Sequence, residues 1–242
     1  MNTRLLRNYV RSILREMSYE DVKESNDPLD WIAAAYHDPE EWGADDPYAG
    51  MLNAAEAVGL NMIGRPGSSR VAFELDGNKV VKLARNNKGI EQNKLEAFAG
   101  KDPFVHKILA AVHDYSDEFA WIVADKVRPL DDGDGAIAEK IIGIPWSRVR
   151  DLIGVGTSSD EEATEVETPK AGAPKSQKAG GGGRGCLTGD AFLSYVDDFT
   201  TRYQDMLPGD LAKLSSWGVT PKGCLVLLDY GITRKKFREL YR

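Results

Sequence analysis

Residues 70–84, RVAFELDGNKVVKLA, constrain more than any other stretch what this chain can fold into. Two runs alternating apolar and polar side chains flank Asp76-Gly77, and a short Asp/Gly turn between such runs predicts a β-hairpin. A lone hairpin is marginal in water, so more strands and a covering element are required. The flanking sequence offers them. NMIG, from Asn61, reads as a short strand, a helix is expected over Gly89 to Gly100, and FVHKILAAVHDYSDEFAWIVADKVRPL reads as two further strands around a turn at Asp114 to Asp117. The expected fold class is α+β, with a small antiparallel sheet and one helix over residues 60–130.

Residues 1–59 read as an extension. In RLLRNYVRSILREM, Leu6, Tyr9, Val10, Ile13 and Leu14 share a helical stripe among Arg4, Arg7, Arg11 and Arg15. Three roles fit such a helix: docking on the domain, binding a protein partner, or lying on an anionic membrane surface. Residues 18–60 carry eleven acidic side chains and one lysine, Lys23, so the two segments attract each other or a common partner. A helix is expected near Pro47 to Val58, with Trp31, Tyr36 and Trp42 as packing residues. The acidic segment is also a candidate to fold back over a substrate site.

Residues 155–185, VGTSSDEEATEVETPKAGAPKSQKAGGGGRG, hold almost no large apolar side chain and are expected to form a disordered insertion or tether. Beyond them, Phe192, Tyr195, Val196, Phe199, Tyr203 and Met206 recur at helical spacing, after a cap at Thr188 or Asp190. The insertion and this helix belong to a second region, residues 131–242.

A net charge of −7 argues against a nucleic-acid binder. No run approaches the ~18 apolar residues of a membrane span, and no signal peptide opens the chain, so the expected setting is cytoplasmic. Two cysteines, Cys186 and Cys224, make a disulfide framework improbable. His37, His106 and His113 lack zinc spacing, and no structural metal is expected.

The residues with chemistry in them come in a telling order. IGRPGSSRVAF supplies Gly64, Gly67 and Ser68 in a loop between two strands, where backbone approaches an anion closely. KVVKLA places Lys82 among apolar neighbours, and a buried lysine needs a counter-charge; Glu96, fourteen residues on, is the candidate, with Glu91 as its rival. WIVADKVRPL follows, with Asp125 at its centre. PGDLAKLSSWGVTPKGCLVLLDYG then holds Asp210-Leu211, Ser215 and Asp229-Tyr230-Gly231 around the apolar strand CLVLLD.

In this order the motifs resemble those of protein kinases and, in the Gly-Asp-Leu form without a preceding His-Arg, more closely those of aminoglycoside phosphotransferases and related small-molecule kinases. The resemblance covers residues 60–232 without the insertion. It implies a two-lobed fold with a truncated, mainly helical second lobe. It also implies ATP and Mg2+ as cofactors: the loop, with Gly64, Gly67 and Ser68, over the phosphates, Lys82 on the α/β-phosphates, Glu96 holding Lys82, and backbone of Ala124 to Lys126 at the adenine. Asp229 and Ser215 would hold the metal, and Asp210 would orient or deprotonate the acceptor hydroxyl of a small molecule or protein. The pattern departs from the family where the third glycine falls near Ser69 or Arg70 and where Ser215 replaces an asparagine. Only eleven residues follow Gly231, which implies no peptide groove.

Two readings follow from the resemblance: a minimal phosphotransferase, or a catalytically inactive, pseudokinase-like scaffold for interaction or assembly. In style the chain also resembles bacteriophage-encoded proteins, which would place it in host cytoplasm or virion. A third reading is an unrelated α+β domain whose Asp-Tyr-Gly is an ordinary turn.

Overall fold

A computed structural model describes residues 25–154, 185–203 and 208–230. The arginine-studded helix, nearly all of the 155–185 tether, Met206 and the terminal basic stretch lie outside the described residues. The fold is mixed α+β.

The hairpin pairs β2 (Arg70–Asp76) with β3 (Lys79–Ala84), following β1 (Asn61–Met62). Its turn is Gly77-Asn78, and Asp76 Oδ1 accepts from the Asn78 N–H at 2.8 Å, fixing the register. After β4 (Val112–Tyr115) and β5 (Trp121–Asp125), the sheet order is β1-β2-β3-β5-β4, with every pair antiparallel. The β4–β5 turn is later than expected, at Ser116 to Ala120, where Phe119 adopts φ 57°.

Strand alternation separates two faces. Val71, Phe73, Val81, Leu83, Trp121 and Val123 occupy one, and α1 (Pro28–His37) and α2 (Pro47–Ala57) cover it through Ile32, Ala35, Met51, Ala54 and Ala55. Both helices start from an Asp-Pro pair. Asp27 accepts from Leu29 N and Asp46 from Tyr48 N and Ala49 N, while the proline fills the first turn where no N–H is needed. Trp31 and Trp42 meet edge to face at 5.4 Å, as packing residues do. Residues 28–57 therefore share the sheet's core. They lie on the face opposite Lys82, so this part of the acidic segment does not fold back over it.

On the Lys82 face lies α3 (Asn87–Ala99), capped by Asn86, whose side chain accepts from Gly89 N. A second cluster gathers α4 (Gly135–Ile142), α5 (Trp146–Ile153) and α6 (Gly189–Arg202) around a three-stranded sheet, β6 (Arg128–Pro129), β7 (Trp217–Val219) and β8 (Leu225–Leu227). Phe192, Val196 and Phe199 are the buried stripe of α6. Thr188 holds the cap position but its side chain makes no capping bond. Trp217 packs against Trp146 and Phe192, each at 5.6 Å, and its indole donates to Leu211 O at 2.8 Å. That bond fastens α7 (Pro208–Leu211), the turn of helix carrying Asp210, to β7.

The cysteines depart from expectation: Cys186 and Cys224 form a disulfide, with Cα atoms 4.9 Å apart. The approach to α6 and the start of β8 are tertiary neighbours, which a separation of 38 residues does not reveal. Among the described residues no helix is long and apolar enough to cross a membrane.

Candidate functional site

Lys82 stands on β3 between Ala72 on β2 and Ile122 on β5, a small and an apolar neighbour that leave its amine no partner on the sheet itself. The amine reaches out of the sheet. Its Nζ donates to Glu96 Oε2 at 2.7 Å and to the Leu228 carbonyl at 2.8 Å. The pairing falls to Glu96, not Glu91, because Gln92, Asn93 and Glu96 form the buried polar stripe of α3.

The other oxygen of Glu96 holds a second cation. Arg70 Nη1 lies 2.5 Å from Glu96 Oε1 and 3.4 Å from Asn93 Oδ1, and Nη2 lies 3.0 Å from Asp229 Oδ1. Lys82, Glu96, Arg70 and Asp229 thus form a chain of alternating charge. Its members are unequally exposed: the side chain of Glu96 is 5% exposed, Arg70 11%, Lys82 13% and Asp229 51%. A neutral, hydrogen-bonded set is the form in which charges tolerate burial.

Burial, the largest influence on Lys82, and the nearby Arg70 lower its pKa below the ammonium value despite the opposing pull of Glu96. Burial also acts against the Arg70 charge, but Glu96 and Asp229 more than offset it and raise the guanidinium pKa. Tyr230, buried beside the same carboxylate and donating to the Glu96 carbonyl at 3.4 Å, is held well above the usual phenol value by burial first and Glu96 second.

The strand β8 delivers Asp229. Leu228 N and Asp229 N both donate to Ser216 O, at 2.9 and 3.2 Å, so the segment after β8 is clamped to the turn holding Ser215, whose side chain is exposed. Asp210 lies on α7, which the Trp217 indole holds to β7 through the Leu211 carbonyl; its side chain lies outside what is described.

The loop with Gly64, Gly67 and Ser68 is fastened from below. Arg85 Nη1 donates to Gly67 O at 2.8 Å, Asn86 Nδ2 to Ser68 O at 3.0 Å, and Ser69 Oγ to Gln92 Oε1 at 2.5 Å. At the far end, Asp125 is engaged on two sides, its carboxylate 2.6 Å from His113 Nε2 and its N–H on Ala111 O at 2.9 Å. Lys126 N donates to Asn78 O at 2.7 Å. Two of the backbone donors expected to face a base are therefore bonded within the protein.

Sequence reasoning named Lys82, Glu96 and Asp229, which the fold brings together, but gave no role to Arg70, Gln92 or Asn93. Strand parity was the missing signal: Ala72 faces Lys82 across the hairpin, so Arg70, two residues earlier, shares the lysine's side.

The oxygen donors that the kinase resemblance assigns to a metal are the half-exposed Asp229 carboxylate and the exposed Ser215 hydroxyl. Among the described residues no group of three or more His, Cys, Asp or Glu is placed to hold a metal. Such a set fits Mg2+ that takes most of its oxygens from phosphate and water, and does not fit a self-contained metal cage. No protein-family model matches the chain, and no curated protein matches it.

Proposed function

We propose that the chain is a kinase-like protein that binds ATP with Mg2+, with phosphoryl transfer to a small-molecule or protein hydroxyl as its activity. The observation that carries this reading is the Lys82–Glu96 pair at 2.7 Å beside Asp229, built from a sheet strand, the following helix and the end of a distant strand. The sheet order β1-β2-β3-β5-β4, with the helix bearing Glu96 after β3, supports a kinase-like first lobe. The β7–β8 hairpin between Asp210 and Asp229 supports the second.

In this reading Lys82, oriented by Glu96, meets the α/β-phosphates, and the loop at 64–69 lies over them. Asp229, with Ser215, would hold Mg2+, which supplies charge neutralisation on the transferring phosphoryl group. Asp210 orients the acceptor hydroxyl and takes its proton. Catalysis here is positioning and electrostatics, so losing Asp210 should abolish transfer with little effect on binding.

A second reading, a catalytically inactive scaffold, is favoured by one observation: Asp229 is already paired to Arg70. Thermal unfolding with and without millimolar Mg-ATP tests nucleotide binding. Ligand at 100 times its dissociation constant adds about 2.7 kcal/mol, which in a chain of this size raises the midpoint by roughly 5–10 °C. A rise that Asp229→Ala removes supports a metal-nucleotide site. No shift in either protein sinks the reading.

A further inference from the structure

Arg70 is the residue of the site that its expected chemistry does not account for. It opens β2 on the Lys82 face and divides its guanidinium between two carboxylates of unlike character. Nη1 is anchored to Glu96 and Asn93 in the buried interior, whereas Nη2 reaches the half-exposed Asp229. One end of the contact is fixed and the other is open to solvent.

From this geometry, and resting on the nucleotide-site reading above, we propose that Arg70 is the internal counter-cation of Asp229. A divalent cation arriving with nucleotide exchanges with it. Guanidinium and metal ion seek the same carboxylate oxygen, and two cations a few ångströms apart in a partly buried site repel one another. Occupancy by one therefore weakens the other. The exchange takes place at the exposed end, so it leaves the Glu96 link and the Lys82–Glu96 pair intact. It also releases the Nη2 N–H groups beside the place where the phosphates are expected, and a guanidinium is suited to binding phosphate oxygens. Arg70 would then neutralise Asp229 in the empty protein and bind phosphate in the loaded one.

The test is Mn2+ binding to the full chain, alone and with ADP, followed by its electron paramagnetic resonance signal, in wild type, Arg70→Gln and Asp229→Asn. The expected result is a saturable site that Asp229→Asn abolishes and that Arg70→Gln tightens at least fivefold. Binding that depends on Asp229 but is unchanged or weakened in Arg70→Gln overturns the exchange alone and makes Arg70 a positioning residue. No Asp229-dependent Mn2+ binding, with or without ADP, overturns both the exchange and the nucleotide-site reading. Where Arg70→Gln does not fold, Mg2+ titration of wild type, read at the Arg70 side-chain Nε–H resonance, decides the same question. A shift absent from Asp229→Asn supports the exchange, and an unmoved resonance overturns it.

Discussion

The two faces of the five-stranded sheet make opposite use of the same strands. Beneath α1 and α2 the face is dry, with Phe73, Val81, Leu83 and Trp121 at 1% exposure or less. On the other side, one residue along each strand, stand Arg70 and Lys82, joined to Glu96 and Asp229. Apolar burial contributes stability without specifying chemistry, whereas a buried ionic chain specifies chemistry and contributes little net stability. The acidic N-terminal stretch thus supplies the apolar cover for a sheet whose other face carries the ionic chain beside buried Val80, Ala84 and Ile122.

The strongest way to break this contrast is to delete residues 1–59. Removing α1 and α2 uncovers the dry face, and cooperative unfolding monitored by circular dichroism should be lost. A deleted protein that unfolds cooperatively near the wild-type midpoint would show that the cover is dispensable. Next in size, Phe73→Ala should cost about 3–5 kcal/mol in denaturant unfolding. Mg-ATP affinity should stay unchanged at temperatures where the variant is folded, because Phe73 points away from Lys82.

Glu96→Gln sharpens the comparison from the charged side. It keeps the shape but leaves Lys82 and Arg70 without their shared counter-charge, which should cost about 3 kcal/mol, less than a full cavity because Asp229 still offsets Arg70. Unlike Phe73→Ala, it should also weaken nucleotide binding, and equal nucleotide affinity in the two variants would erase the distinction between the faces. The smallest effect is expected at the Lys126–Glu74 pair, 2.5 Å apart but 37% and 36% exposed. Lys126→Ala should change stability by less than about 1 kcal/mol, since solvent screens such pairs.

The hairpin, α3 and the partnership of Lys82 with Glu96 were legible because alternation and helical spacing are written locally. Arg70 was harder to find. Its side follows from parity, but its two carboxylate partners sit 26 and 159 residues away in sequence. The cover of α1 and α2 was obscured by acidic punctuation, although Asp27-Pro28 and Asp46-Pro47 are helix-start signals in their own right. The Cys186–Cys224 cross-link was illegible, because only the packing of α6 beside the β7–β8 hairpin brings its sulfurs together. Asp210 was read from its motif, and the fold adds that Trp217 anchors its helix to β7.

Gly89 carries one more consequence. A Cβ there would come within 2.2 Å of the Ser69 carbonyl, so the start of α3 touches the backbone of the loop directly. With Arg85, Asn86 and Gln92 also bonded to residues 67–69, loop and helix are joined at several points. Residues 67–69 therefore have no room to move toward the start of α3, the helix whose later turn carries Glu96. In the nucleotide-site reading proposed above, the loop would then work less as a flap than as a lever on the helix that holds the lysine's partner.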